Sequence, residues 1–140
     1  MYTKILVAIE NSAADRAVLH HIEQLARLTG AGLLLVHVAD GFAARHFEDL
    51  KLRESEEMRD DRAYLERLCE DMCGKGMVCG ARLAMGDPAT ELVRVAVEEG
   101  VDLIAMSTHG HRFLQDLLRG STADRVRHGV SIPVLMVRAK

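Results

Sequence analysis

The sequence has no long apolar run and no excess of positive charge, and both absences narrow the possible functions. None of its hydrophobic stretches approaches the ~20 residues that a membrane-spanning helix needs. Its 18 lysine and arginine residues are outnumbered by 21 acidic residues, and the net charge of −3 argues against a dedicated nucleic-acid binder. Residues 1–5 run directly into a strand pattern, without the layout of a signal peptide. We therefore expect a cytoplasmic protein that acts neither in a membrane nor on nucleic acid.

Cysteine is scarce, and the common catalytic motifs are missing. Cys69, Cys73 and Cys79 include no Cys-x-x-Cys pair and lack the spacing of a metal site. We interpret them as small apolar residues in a reducing compartment, with a metal or redox site as the alternative. No lysine precedes Ser121, which excludes a phosphate-loop NTPase, and Gly120-Ser121-Thr122 does not supply the G-x-S-x-G turn of a hydrolase. We predict no catalytic residue and no metal site.

The sequence does contain a regular alternation of strand and helix patterns. Apolar runs at 4–9, 33–38, 103–106 and 132–137 predict strands buried on both faces, and a weaker run lies at 77–84. Helical patterns follow a capping box at Ser12 and Asp15, cover 54–73, follow the Asp87-Pro88 turn and recur at 123–128. Residues 39–50 show no period and predict a loop. The pattern indicates one α/β domain over residues 1–140, a doubly wound, Rossmann-like fold with a five-stranded parallel sheet, for which we expect the strand order 3-2-1-4-5.

The segment between the fourth strand and the last helix has a composition that suits an anion. Gly110 and Gly120 allow the backbone to approach a ligand closely, and Ser121 can cap the helix. A phosphate at that helix start meets free amides and a favourable dipole. The alternative is a capped helix after a surface loop. In a 3-2-1-4-5 sheet, Glu10 and the turn at 107–110 face each other across one crevice, which favours the ligand site.

Taken together, these residues resemble the universal stress protein family, in its nucleotide-binding branch. The resemblance covers the whole chain and rests on residues 5–9, 36–38, 86–88, 102–110, 120–121 and 132–137. The ATP-binding pattern of the family is Gly, two residues, Gly, nine residues, Gly, then Ser or Thr. Gly110, nine intervening residues, Gly120 and Ser121 match it, whereas Ser107 replaces the first glycine. The resemblance implies an adenine nucleotide alpha hydrolase-like fold.

The resemblance also implies the residues of a nucleotide site. An Asp after the first strand commonly holds the ribose in this family, and here the position is Glu10, which is one methylene longer. A residue matching Val38 lies against the adenine, and Ser121 and Thr122 match the phosphate site. Arg112 would add positive charge for the phosphates, with a solvated surface as the alternative. The expected nucleotide-binding residues are Ala8, Glu10, Val38, Met106, Ser107, Gly110, Arg112, Gly120, Ser121 and Thr122.

The implied function is a regulatory role in the stress response through binding of ATP or another adenine nucleotide, with or without Mg²⁺. The alternatives are a ligand-free dimeric interaction module of the same fold and a slow ATPase. The last strand is predicted to lie at the sheet edge, where it can pair with its own copy across a two-fold axis. We therefore expect a homodimer centred on Val134, Leu135 and Met136, and an unidentified regulatory protein partner.

Overall fold

Five parallel strands form one sheet in the order β3-β2-β1-β4-β5, which confirms the predicted topology. The structure is a computed structural model that describes residues 1–40, 51–108 and 122–139. The strands are β1 Lys4–Ala8, β2 Gly32–Asp40, β3 Cys79–Gly86, β4 Leu103–Thr108 and β5 Val134–Arg138. The helices in the described ranges are α1 Ala14–Thr29, α2 Lys51–Gly74, α3 Pro88–Glu98 and α4 Thr122–Gly129. No helix in these ranges is long and apolar enough to cross a bilayer.

The sheet is covered on both faces because the central residues of its inner strands are apolar and buried. Leu6, Val36 and Ile104 pack with α3 and α4 on one face. Val7 and Leu35 pack with α1 and α2 on the other. Successive side chains of a strand point to opposite faces, so a continuous apolar run fills two cores at once.

Every strand differs from its predicted bounds by one or two residues at one end or both, and hydrogen bonds explain two of these differences. The predicted loop begins at residue 39, but β2 continues to Asp40, because Ala39 and Asp40 pair with Met85 and Gly86 of β3. Residues 41–50 of that loop lie outside the described residues. The third strand begins at Cys79 rather than at residue 77, because Met77 closes the end of α2 by donating its amide to Met72.

The helix ends follow the predicted signals closely. Asp87 caps α3 by accepting the amide of Thr90 at 3.0 Å, and Pro88 occupies the first position of that helix. At the start of α1 only half of the expected capping box forms, because the N-cap is Ala13, which has no side-chain bond, and the Ser12 hydroxyl does not accept the Asp15 amide. Ser12 Oγ accepts the Ala14 amide instead, and the Asp15 carboxylate accepts the Ser12 amide.

Candidate functional site

The candidate site lies where β1 and β4 are neighbours in the sheet although they are far apart in sequence. Ile5, Leu6 and Val7 pair with residues 103–105, so the carboxyl ends of both strands open at one edge. Strand order reverses between β1 and β4, and ligands of doubly wound folds bind in the crevice that this reversal creates. Glu10 follows β1 and Ser107 stands near the end of β4, as the sequence predicts for a shared crevice.

Three of the expected binding residues form an apolar surface on one face of the sheet. Ala8 is 7% exposed and Met106 is 5% exposed, and both belong to the same core cluster. Val38, near the end of β2, is half-buried and packs against that cluster. The structure therefore brings Ala8, Val38 and Met106 together at the ends of three adjacent strands. An apolar surface of this kind suits a flat heterocycle.

Ser107 provides a buried polar atom without a partner. The side chain is 3% exposed, and its Oγ makes no hydrogen bond with the residues that the structure describes. An unsatisfied buried hydroxyl costs about 1–3 kcal/mol, so a ligand group that reached this atom would gain by pairing with it. Serine also fits the backbone here, because Ser107 pairs with Val137 as part of β4. The replacement of the family glycine therefore adds a hydroxyl without requiring a positive φ.

The remaining expected residues are only partly within the described ranges. Glu10 is exposed, and its Oε2 accepts the Ser12 hydroxyl at 3.3 Å. Thr122 is the first residue of α4 and is half-buried. The other four expected residues lie outside the described residues: Gly110, Arg112, Gly120 and Ser121.

A buried carboxylate organises the segment that carries Glu10. Asp15 is 1% exposed, and its two oxygens accept the amides of Glu10 at 2.8 Å and Ser12 at 3.1 Å. The Tyr64 hydroxyl, from α2, donates to Asp15 Oδ2 at 2.7 Å. Burial and this bond to an anion raise the pKa of Tyr64 well above its ordinary value. Tyr64 is therefore a neutral donor throughout the physiological range, and Asp15 fixes the backbone on both sides of Asn11.

A second set of hydrogen bonds holds the same segment from β2. His37 Nδ1 lies 2.8 Å from the Ile9 carbonyl oxygen, and His37 Nε2 lies 3.2 Å from Asp61 on α2. The other carboxylate oxygen of Asp61 accepts the Asn11 side-chain amide at 2.9 Å. Asn11 adopts a φ of 62°, a left-handed conformation that asparagine tolerates better than most residues. The chain therefore turns sharply after β1 and is tied to α2 at two points.

The start of α4 is fixed by an ion pair with the cap of α3. Arg125 donates Nη1 to Asp87 Oδ1 at 3.0 Å and Nη2 to Oδ2 at 2.8 Å. This bidentate pair, together with the bonds from Thr90, holds the pKa of Asp87 well below its usual range. Asp87 is therefore ionised in the folded protein at neutral pH. The pair links the first turns of two helices that cover the same face as Ala8 and Met106.

The comparisons with known proteins agree with this architecture. The model of the Universal stress protein family matches residues 1–138. The universal stress protein MJ0577 of Methanocaldococcus jannaschii is 29% identical over 160 residues, which cover 100% of this chain and 97% of that protein. A solved structure of MJ0577 matches with a TM-score of 0.79 at 30% identity and covers 100% of this chain and 98% of that one.

Two further solved structures share the fold and contain nucleotides. A universal stress protein from Archaeoglobus fulgidus in complex with dAMP has a TM-score of 0.67 at 24% identity, and the match covers 97% of this chain and 98% of that one. A universal stress protein in complex with cAMP has a TM-score of 0.77 at 19% identity and covers 99% of each chain. At these identities the match establishes the fold.

The bond between Tyr64 and Asp15 leads to a stability prediction. We expect Tyr64→Phe to lower the free energy of unfolding by about 1.5–3 kcal/mol, because it removes a hydrogen bond to a buried charged group. Urea denaturation at neutral pH measures the loss. Tyr2→Phe is the matched control, since the Tyr2 hydroxyl makes no hydrogen bond within the described part of the chain. Equal free energies of unfolding for the two variants would show that the hydrogen bond between Tyr64 and Asp15 does not stabilise the fold.

Proposed function

The chain belongs to the universal stress protein family, and we propose on that basis that it binds an adenine nucleotide and acts as a regulatory protein of the stress response in the cytoplasm. The observation that carries the proposal is the apolar surface of Ala8, Val38 and Met106 at the strand ends, beside the segment that carries Glu10. A nucleotide needs such a surface for its base and polar groups close by for its sugar and phosphates.

We assign the binding roles from this arrangement and from the family pattern. Val38, with Ala8 and Met106, would contact the adenine, and Glu10 would accept a hydrogen bond from the ribose. The phosphates would meet Gly110, Gly120, Ser121 and Thr122, with Arg112 supplying positive charge. Ser107 Oγ, which is buried without a partner among the described residues, is a further donor that a bound nucleotide could use. The proposed ligand is ATP or another adenylate, with or without Mg²⁺.

One feature of the comparisons supports an adenine nucleotide, and one feature of the structure supports ligand binding at this crevice. Two universal stress proteins of the same fold are solved in complex with dAMP and with cAMP, which share the adenine base. The turn after β1 is held by Asp15, Tyr64 and Asp61 before any ligand binds. A segment that is already ordered costs little further entropy when a ligand contacts it.

Titration calorimetry of the purified chain with ATP and AMP tests the proposal. We expect saturable binding by the parent and none by Gly120→Val, because a branched side chain would stand where a phosphate is expected. Gly74→Val serves as the matched glycine control, since a Cβ at Gly74 meets no heavy atom within 4 Å. Equal nucleotide affinity of the parent and Gly120→Val would refute the phosphate assignment, and a parent that binds no adenylate would leave the ligand-free interaction module as the function.

The role of Glu10 is tested by shortening and by removing its side chain. Glu10→Ala should weaken binding by one charged hydrogen bond, about 1.5–3 kcal/mol, which is roughly a tenfold to hundredfold rise in Kd. Glu10→Asp should bind as tightly as the parent or more tightly, because it restores the family residue. Glu66→Ala is the control: it removes an exposed carboxylate from α2 and should leave the nucleotide affinity unchanged. If all three variants bind like the parent, Glu10 does not line the site.

We also propose that the chain forms a homodimer through β5, the last strand of the sheet. Among the residues that the structure describes, strand β5 pairs with β4 alone, and Val134, Leu135 and Met136 are incompletely buried. The Pro133 carbonyl accepts from Ile104, and the Ala139 amide donates to Thr108, so odd-numbered residues of this strand bond to β4. The amides and carbonyls of Val134 and Met136 therefore point to the open edge, where a second copy can pair with them.

Met136→Pro tests the dimer without damage to the sheet. Proline removes the outward amide of Met136, whereas the same change at Leu135 would remove a donor to β4. We expect the parent to scatter light as a dimer of the 15.5 kDa chain and Met136→Pro to scatter as a monomer. Met136→Leu keeps the amide and should remain dimeric. A monomeric parent at micromolar concentration would contradict the proposal.

A further inference from the structure

The three cysteines of the chain converge at the junction between α2 and β3. Cys69 Sγ donates to the Cys79 carbonyl oxygen at 3.0 Å, and Cys73 Sγ lies 3.8 Å from the same oxygen. Cys79 Sγ turns toward the Gly80 carbonyl at 3.7 Å. All three are free thiols. Their spacing in the sequence gives no sign of this cluster, because it forms only when β3 packs beside the end of α2.

The three thiols differ in exposure and in ease of ionisation. Cys73 is exposed, whereas Cys69 and Cys79 are half-buried. Burial raises the pKa of both half-buried thiols, and the neighbouring Cys69 thiol raises the pKa of Cys79 further. These two thiols therefore stay protonated at neutral pH. Because Cys73 is the exposed thiol, an oxidant in solution reaches it before the other two. The protonated thiols of Cys69 and Cys79 lie next to it.

We propose that the cluster is an oxidation site, at which a peroxide oxidises Cys73 and Cys79 then forms a disulfide with it. Metal binding does not account for the cluster, since no group of three His, Cys, Asp or Glu side chains in the described ranges is arranged to hold a metal ion. The cluster lies at the amino end of β3, at the opposite end of the strands from the crevice, and it does not depend on nucleotide binding.

The chemistry balances in two steps. In the first, the sulfur of Cys73 attacks one oxygen of hydrogen peroxide; an S–O bond forms, the O–O bond breaks, and water leaves with the thiol proton. In the second, the sulfur of Cys79 attacks the sulfenic sulfur; an S–S bond forms, the S–O bond breaks, and the Cys79 proton leaves with the hydroxide as a second water. Two thiols are oxidised and one peroxide is reduced. A low-molecular-weight thiol reverses the disulfide.

Helix geometry selects Cys79 over Cys69 as the partner of Cys73. Cys69 and Cys73 are four residues apart on α2, where Cβ atoms stand about 5–6 Å apart, and a disulfide requires about 3.5–4.5 Å. Cys79 belongs to a different element and is joined to Cys73 by residues 74–78, which include two glycines. Gly76 adopts a φ of 92° and α2 ends at Gly74, so both sulfurs lie near the end of the helix and the turn that follows it. Cys69 is then the thiol that stays reduced.

Peptide mapping after peroxide treatment tests whether the disulfide joins Cys73 to Cys79, because trypsin places Cys79 in a different peptide from the other two cysteines. Cleavage after Arg67, Lys75 and Arg82 places Cys69 and Cys73 in one peptide and Cys79 in the next. We expect a small excess of hydrogen peroxide to link these two peptides within one chain and to remove two of the three free thiols. Dithiothreitol should restore all three. Cys69→Ala is the matched control and should form the same link, whereas Cys73→Ser and Cys79→Ser should lose it.

Three results would overturn the proposal. Persistence of the link in Cys73→Ser would identify Cys69 as the partner of Cys79. A disulfide confined to the peptide of residues 68–75 would show that Cys73 pairs with Cys69 and not with Cys79. Recovery of only sulfinic acid or of disulfides between chains would show that no thiol in the cluster resolves Cys73. Circular dichroism of each variant confirms that it is folded, so the loss of a link reports on the thiols.

Discussion

The crevice depends on one buried charge, the carboxylate of Asp15. A carboxylate removed from water is tolerated only when each oxygen is hydrogen-bonded, and Asp15 meets this requirement with two backbone amides and the Tyr64 hydroxyl. Because these partners come from the segment after β1 and from α2, the charge joins two parts of the chain that are otherwise held together by the Asn11–Asp61 hydrogen bond and by apolar packing. Apolar packing sets the distance between elements, whereas this carboxylate sets the direction in which Glu10 leaves the sheet.

The sheet was predictable from sequence because its evidence is local. Each apolar run stands between turn residues, and a parallel sheet follows from the alternation with helices, whereas the alternation alone does not select the strand order 3-2-1-4-5. The boundaries of β2 and β3 were less accurate, since strand ends are set by pairing: Asp40 is extended because Gly86 lies beside it. The cap at Asp87 was predictable for the opposite reason, because it bonds to Thr90, only three positions away.

The contacts around the site were much less predictable. Tyr64 lies 49 residues from Asp15, and Asn11 lies 50 residues from Asp61, and no periodicity connects either pair. His37 was hidden within an apolar run, although a histidine in a buried strand is itself a signal that a polar partner is present. Asp15 was recognised as a helix-start residue, and its larger role followed only from the fold. The effect of serine at 107 also needed the structure, which places this residue within β4.

The contacts of helix α2 limit where residues can be inserted into this chain. Asp61 and Tyr64 stand one turn apart and reach the segment after β1, while Leu65 and Met72 point into the core and Cys69 contacts β3. Each residue of an α-helix advances the side-chain direction by about 100°. A single insertion between Asp61 and Leu65 would turn the side chains that contact the segment after β1 away from their direction relative to those that contact the core and β3. Residues added before the helix would leave the relative directions of these side chains unchanged. Natural variants of this chain should therefore differ in length ahead of α2 and keep its interior length constant.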